Sequence, residues 1–218
     1  MSAFALKLIA IITMTIDHVG AVLLPEYFIL RIIGRVSFPI FAFLIANGYH
    51  HTKDIKKYAG RLLLFAFISQ YPFSKAFEFA GLNIFFTLFL GLLALLAYDK
   101  IENQGAKYGA IAVLALAAEF LSTDYGYFGV ILILLFHVFR DSIPKMIGSI
   151  IVLNLIFSGM SAWHYRSLNP SLFVECVSVL GLIFVTQYNG QRGRSLKYFF
   201  YIFYPAHLMI LYLLKAIV

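Results

Sequence analysis

Asp17, His18, Arg31 and Arg35 stand inside an otherwise apolar stretch, Leu6 to His51, that reads LKLIAIITMTIDHVGAVLLPEYFILRIIGRVSFPIFAFLIANGYHH. Ionisable groups in hydrocarbon cost at least ~2.5–3.5 kcal/mol each on insertion scales, so they are rare and face a bundle interior or a wet cavity. Four of them on two neighbouring segments point to a buried polar site. His18 is the sharpest candidate. A neutral imidazole titrates near physiological pH and can take a proton from an amine or a hydroxyl. Asp17 adjoins it but points ~100° away around a helix, so it is better placed to pair with Arg31 or Arg35. Those two arginines, at i and i+4, project from one face. Their planar forks can hold a carboxylate or phosphate, or stabilise an oxyanion. A purely structural polar cluster is the competing reading.

Lys7 lies eleven residues before His18. Eleven residues make three helical turns, which puts both on one face ~16 Å apart. A cation at one mouth and a base deep on the same face would suit a ligand entering end-on, although a snorkelling anchor explains Lys7 equally well by spacing alone. Elsewhere, His50 and His51 read as interfacial, and His137 and His164 have no evident partner. The histidines are scattered and there is one cysteine, Cys176, so no cluster has metal-ligand spacing. No phosphate-binding glycine loop and no nucleophile-elbow serine is present. The sequence offers an acid–base site with cations, without a metal or an obvious covalent nucleophile.

These residues must be carried by membrane helices. The chain of 218 residues is 62% hydrophobic and only 12% charged, more apolar than a soluble domain of this size requires. The reading is one all-α domain over 1–218, a polytopic transmembrane bundle. Nine spans are predicted, at roughly 5–24, 28–50, 57–73, 82–99, 107–121, 126–140, 144–159, 169–188 and 196–216, some of them short enough to be re-entrant. Pro25, Pro72, Pro144 and Pro170 mark turns or span ends, whereas Pro39 and Pro205 lie inside spans and can kink them. The Asp17-His18 pair and the lack of a small-residue cleavage site argue that the first run is retained rather than a signal peptide.

The net charge of +7 does not indicate nucleic acid, because the basic residues fall in short loops between apolar runs. Twelve of the 17 lysines and arginines fall on one side, among them Lys7, Lys56, Lys57, Arg61, Arg192, Arg194 and Lys197, against three on the other. That asymmetry puts the N-terminus in the cytoplasm. The unusual polar groups then collect in the outer half: Arg31 and Arg35, Gln70, Asn83 and Thr87, Asp124 and Tyr125 in the turn STDYGYFG, and Tyr204 and His207 at mid-depth.

LKLIAIITMTIDHVGAV, LRIIGRVSFPIFAFLIANGY, NIFFT, DYGYFGV and FYPAHL together resemble the TraX family, with matches in one order from Leu6 to Leu208. The resemblance implies a bacterial inner-membrane protein that acetylates the N-terminal amine of pilin, using acetyl-CoA as co-substrate. Lys7-x10-His18 is also similar to the basic-x10-His motif of transmembrane acyltransferases that modify cell-surface sugars, which makes His18 the matching base. Where relatives carry acidic residues at the end of the third span, this chain reads Ser69-Gln70-Tyr71-Pro72-Phe73-Ser74, so a substrate charge preference does not carry over. On this reading Lys7, Lys56, Lys57, Arg61, Arg192 and Arg194 would hold the CoA phosphates, and His18 would activate an amine or hydroxyl of an acceptor protein or glycan. Asp17 completes the polar site, and Arg35 is the first choice for the oxyanion donor. Arg31, Gln70, Asn83, Thr87, Asp124, Tyr125, Tyr204 and His207 would line the acceptor side. A small secondary transporter and a non-catalytic assembly subunit are the alternatives.

Overall fold

A computed structural model describes residues 1–166 and 169–217, and it is helical throughout. Helix α1 (Ala3–Val22) begins where the Ser2 hydroxyl accepts the Ala5 amide. The predicted second span is two helices, α2 (Phe28–Gly34) and α3 (Ser37–His51), broken at Arg35-Val36. The break follows from Pro39, which has no N–H to give the Arg35 carbonyl and whose ring crowds the carbonyl four residues back. Helix α4 (Ile55–Phe77) is capped by Asp54, whose carboxyl is held below its usual range by hydrogen bonds from Lys57, the backbone amide first. It runs through Pro72 to Phe77, beyond the predicted span end, so one missing hydrogen bond does not stop it.

Helices α5 (Ile84–Lys100) and α6 (Gln104–Phe120) start at the side-chain caps Asn83 and Asn103. α7 (Gly126–Val138) is short and buried, and α8 (Ile143–Tyr165) carries Pro144 in its first turn, where no N–H is needed. The predicted eighth span is a 3-10 helix, Pro170–Gly181, followed by α9 (Leu182–Val185). At ~2.0 Å per 3-10 residue and ~1.5 Å per α residue these 16 residues reach roughly 30 Å, about the thickness of a hydrocarbon core. α10 (Lys197–Lys215) closes the bundle; the side chains of Pro170, Ser171, Leu172 and Lys197 and the whole of residues 167, 168 and 218 lie outside the described residues.

Each of the nine predicted spans coincides with a helical stretch. Among the described residues, four have the length and apolar composition to cross a membrane by themselves: Ala3–Val22, Phe28–His51, Ile143–Tyr165 and Tyr198–Lys215. Large apolar side chains also face outward, Leu116, Phe120, Leu155 and Trp163 among them, which suits lipid rather than water. Inside, α1 packs on α2 and α3, α10 lies along α4, and α7 is wedged among α3, α5 and α6. Close approach of α2 to α1 requires Gly34, because a Cβ there would fall 2.1 Å from the Asp17 Cβ.

Candidate active site

Lys7, Ile11, Met14 and His18 form one stripe of α1 and line a single cavity of about 630 Å³. That size is ordinary for a ligand site. At one end the lining is basic and comes from the start of α1, the end of α3, the start of α4 and the segment before α10: Lys7, His51, Arg61, Arg192 and Arg194. At the other end it comes from α2 and the turn between α6 and α7: Arg31, Arg35, Asp124 and Tyr125. Apolar and aromatic side chains, including Phe41, Leu62, Phe85 and Tyr201, join the two ends.

His18 and His207 form a buried pair, Nδ1 of the first 2.7 Å from Nε2 of the second, with rings parallel within 9°. The order of protons follows from the last partner. Nδ1 of His207 lies 2.9 Å from the Phe203 carbonyl, which can only accept, so Nδ1 carries the proton. Nε2 of a neutral His207 is then a lone pair and accepts Nδ1–H from His18. Nε2 of a neutral His18 remains an unprotonated lone pair, the form a general base needs. His207 itself stands behind His18 and does not line the cavity.

Asp17 is held by both arginines. Arg31 donates to Oδ2 at 2.6 Å, and Arg35 to Oδ1 at 2.8 Å and Oδ2 at 3.0 Å. Arg35 also donates to Glu175, on the 3-10 helix. Two guanidiniums and two carboxylates thus balance in a largely buried cluster. Both terminal nitrogens of Arg35 are therefore taken, and its Nε has no partner. The pairing of Asp17 with the arginines follows the ~100° separation from His18. Glu175 was not singled out from sequence, although a carboxylate in an apolar run carries the same signal as Asp17.

Other predicted residues divide sharply. Tyr125 lies in the left-handed region at φ 66°, stacks on Phe38 with centroids 3.8 Å apart, and faces Arg35 at 5.8 Å. A bulky residue in that region is strained, and such strain concentrates at functional sites. Tyr204 also lines the cavity. Gln70, Asn83 and Thr87 do not. Gln70 bonds Ser74, Gly81 and Asn83, and Asn83 caps α5 and reaches the Ala66 carbonyl. Thr87 meets Thr123 and the Asp124 carbonyl, fixing the turn that places Asp124 and Tyr125. Lys56 and Lys57 lie off the cavity, and Lys57 pairs with Asp54 at 3.2 Å.

The sequence missed a second histidine pair at the basic end. His137 bonds Asp99 at 2.9 Å and His50 at 3.0 Å, Arg140 donates to His50 at 2.8 Å, and Tyr49 donates to Asp99 at 2.8 Å. These residues come from the ends of α3, α5 and α7 and tie those ends together. Nothing in the local sequence joins them, since the contacts are long-range. Among the described residues no group of three or more His, Cys, Asp or Glu side chains is arranged to hold a metal ion.

Comparison with known proteins adds three findings. The family model described as TraX protein matches residues 2–215. A probable fimbrial assembly protein FimC, serogroup H1, of Dichelobacter nodosus is 32% identical, covering 96% of this chain and 94% of that protein. An uncharacterised protein of Rickettsia prowazekii is 37% identical over 39% of this chain and 33% of its own length. No solved structure matches.

Proposed function

The chain belongs to the TraX family, and we propose that it is an integral membrane acetyltransferase that moves acetyl from cytoplasmic acetyl-CoA to an amine or hydroxyl at the outer face of the inner membrane. One observation carries the reading: a single cavity joins a basic end, Lys7, Arg61, Arg192 and Arg194, to the lone pair of a buried imidazole. CoA is too polar to cross lipid. Its phosphates would rest among the basic residues, and the pantetheine arm would lie along the apolar walls and bring the thioester to His18. The stripe from Lys7 to His18 spans that distance, ~16 Å along α1.

His18 then removes the acceptor's proton through Nε2 as the nucleophile adds to the thioester carbon. His207 holds the imidazole tautomer and stabilises the imidazolium that forms. Asp17 balances Arg31 and Arg35 and fixes the break at which the outer end of the cavity begins. The acceptor side carries Arg31, Asp124 and Tyr125. The similarity to a probable fimbrial assembly protein favours a pilin N-terminus or another surface component as acceptor. The N-terminus would then lie in the cytoplasm, a reading that the charge asymmetry of the loops supports.

The test is purified protein with radiolabelled acetyl-CoA. CoA release or acetyl transfer is expected, and His18→Ala should still fold and bind CoA while losing about 10²-fold or more in turnover, the loss typical of a general base. No turnover and no CoA binding by the wild-type protein would leave a transporter or an assembly subunit. Near wild-type turnover in His18→Ala, with an unchanged pH profile, would make His18 structural.

A further inference from the structure

Tyr204 lies on α10 one turn before His207, is 4% exposed and lines the cavity. Its ring meets His18 edge-on, centroids 6.2 Å apart, and His207 at 5.6 Å. The hydroxyl's own proton has no acceptor among the described residues. Buried hydroxyls nearly always find a partner, and leaving one unused is costly enough to call for an explanation. An unpartnered hydroxyl on a ring that lines the cavity, near the imidazole, is a donor for whatever binds there.

We propose that Tyr204 is a catalytic residue and that its hydroxyl donates a hydrogen bond to the carbonyl oxygen of the acyl donor, stabilising the oxyanion. The assignment rests on the acyltransferase reading above. Arg35, the other candidate, is tied to Asp17 and Glu175 through both terminal nitrogens, which leaves its Nε as the unpartnered donor. In the step, the acceptor's lone pair forms a bond to the thioester carbon, and the carbonyl electron pair moves onto oxygen. That oxygen accepts from Tyr204 while Nε2 of His18 takes the acceptor's proton. Collapse re-forms the carbonyl and breaks the carbon–sulfur bond, and the leaving thiolate takes the proton from the His18 imidazolium. The products are acylated acceptor and free thiol, and Tyr204 keeps its proton throughout.

Tyr204→Phe keeps the ring and removes the donor. Because the bond strengthens only as charge develops, kcat should fall about 10²–10³-fold, with KM for acetyl-CoA nearly unchanged. Replacing Tyr204 by 3-fluorotyrosine keeps the shape and lowers the phenol pKa. It keeps the donor and should retain turnover near neutral pH, where Tyr204→Phe does not. A purely structural Tyr204 would leave kcat of Tyr204→Phe within about threefold of wild type, and that result overturns the assignment. If the wild-type protein transfers acetyl and Tyr204→Phe does so equally well, this assignment alone falls. If the wild-type protein transfers nothing, the acyltransferase reading falls with it.

Discussion

Asp17→Asn removes one negative charge from a cluster of two guanidiniums and two carboxylates. The amide can still accept a hydrogen bond, but it leaves Glu175 as the sole carboxylate paired with Arg35 and strips Arg31 of its ion pair. Breaking a buried pair by removing one partner costs about 3–5 kcal/mol, mostly from the charge left uncompensated. The Asp17 and Arg35 side chains are 9% and 10% exposed, whereas Arg31 is 32% exposed and partly screened by water. The lower end of the range therefore applies, about 3 kcal/mol. For a chain of this length each kcal/mol shifts the melting temperature by roughly 2–4 °C, so Asp17→Asn should melt about 6–12 °C below wild type. The assay is far-UV circular dichroism in one fixed detergent at one scan rate. Combining Asp17→Asn with Arg35→Met should cost less than the sum of the two single changes, because each single change already breaks the Asp17–Arg35 pair. Coupling of about 0.5–3 kcal/mol is usual for such contacts. A melting temperature within about 2 °C of wild type, or strict additivity, would refute the idea that this carboxylate locks α1 to α2.

At the basic mouth, Arg61→Ala or a combined Arg192→Ala and Arg194→Ala change should raise the KM for acetyl-CoA about tenfold or more and lower kcat less, since one charge-assisted contact is worth ~1.5–3 kcal/mol. Lys57→Ala, off the cavity, should leave that KM alone; initial-rate kinetics at varied acetyl-CoA check both. Glu78 is tied to Lys215 at 2.6 Å, and that hydrogen bond holds its carboxyl below the usual range. A depressed acid contributes stability above its unfolded pKa, near ~4.3, and loses it as pH falls through the lower folded value. The difference in melting temperature between wild type and Glu78→Gln should therefore be present at neutral pH and vanish in the acid range below ~4.

Helical order and the place of the polar site were legible because both depend on single residues against an apolar background. Asp17 and the arginines announced themselves by cost, and helix geometry alone separated Asp17 from His18. The stripe from Lys7 to His18 was equally readable, since three turns return to one face. What stayed hidden was long-range pairing. His18 finds His207 across 189 positions, and Arg35 finds Glu175 across 140. Neither separation has a local pattern. Gln70, Asn83 and Thr87 show the opposite difficulty. They carry the polarity of a binding site, but helix ends and turns in an apolar medium need the same groups to close their backbone bonds.

Adjacent in sequence, Asp17 and His18 divide the work because a helix sends them in different directions. Asp17 turns toward α2, where Gly34 lets the backbones approach and Pro39 forces the chain to break just where Arg35 must reach. Its negative charge is consumed there, so it is not free to act on a substrate. His18 turns instead toward α10 and the cavity, with one nitrogen engaged by His207 and the other left over. The ion cluster frames His18 without touching its free nitrogen. That arrangement makes stability and turnover separable: Asp17 should govern chiefly the first, His18 chiefly the second.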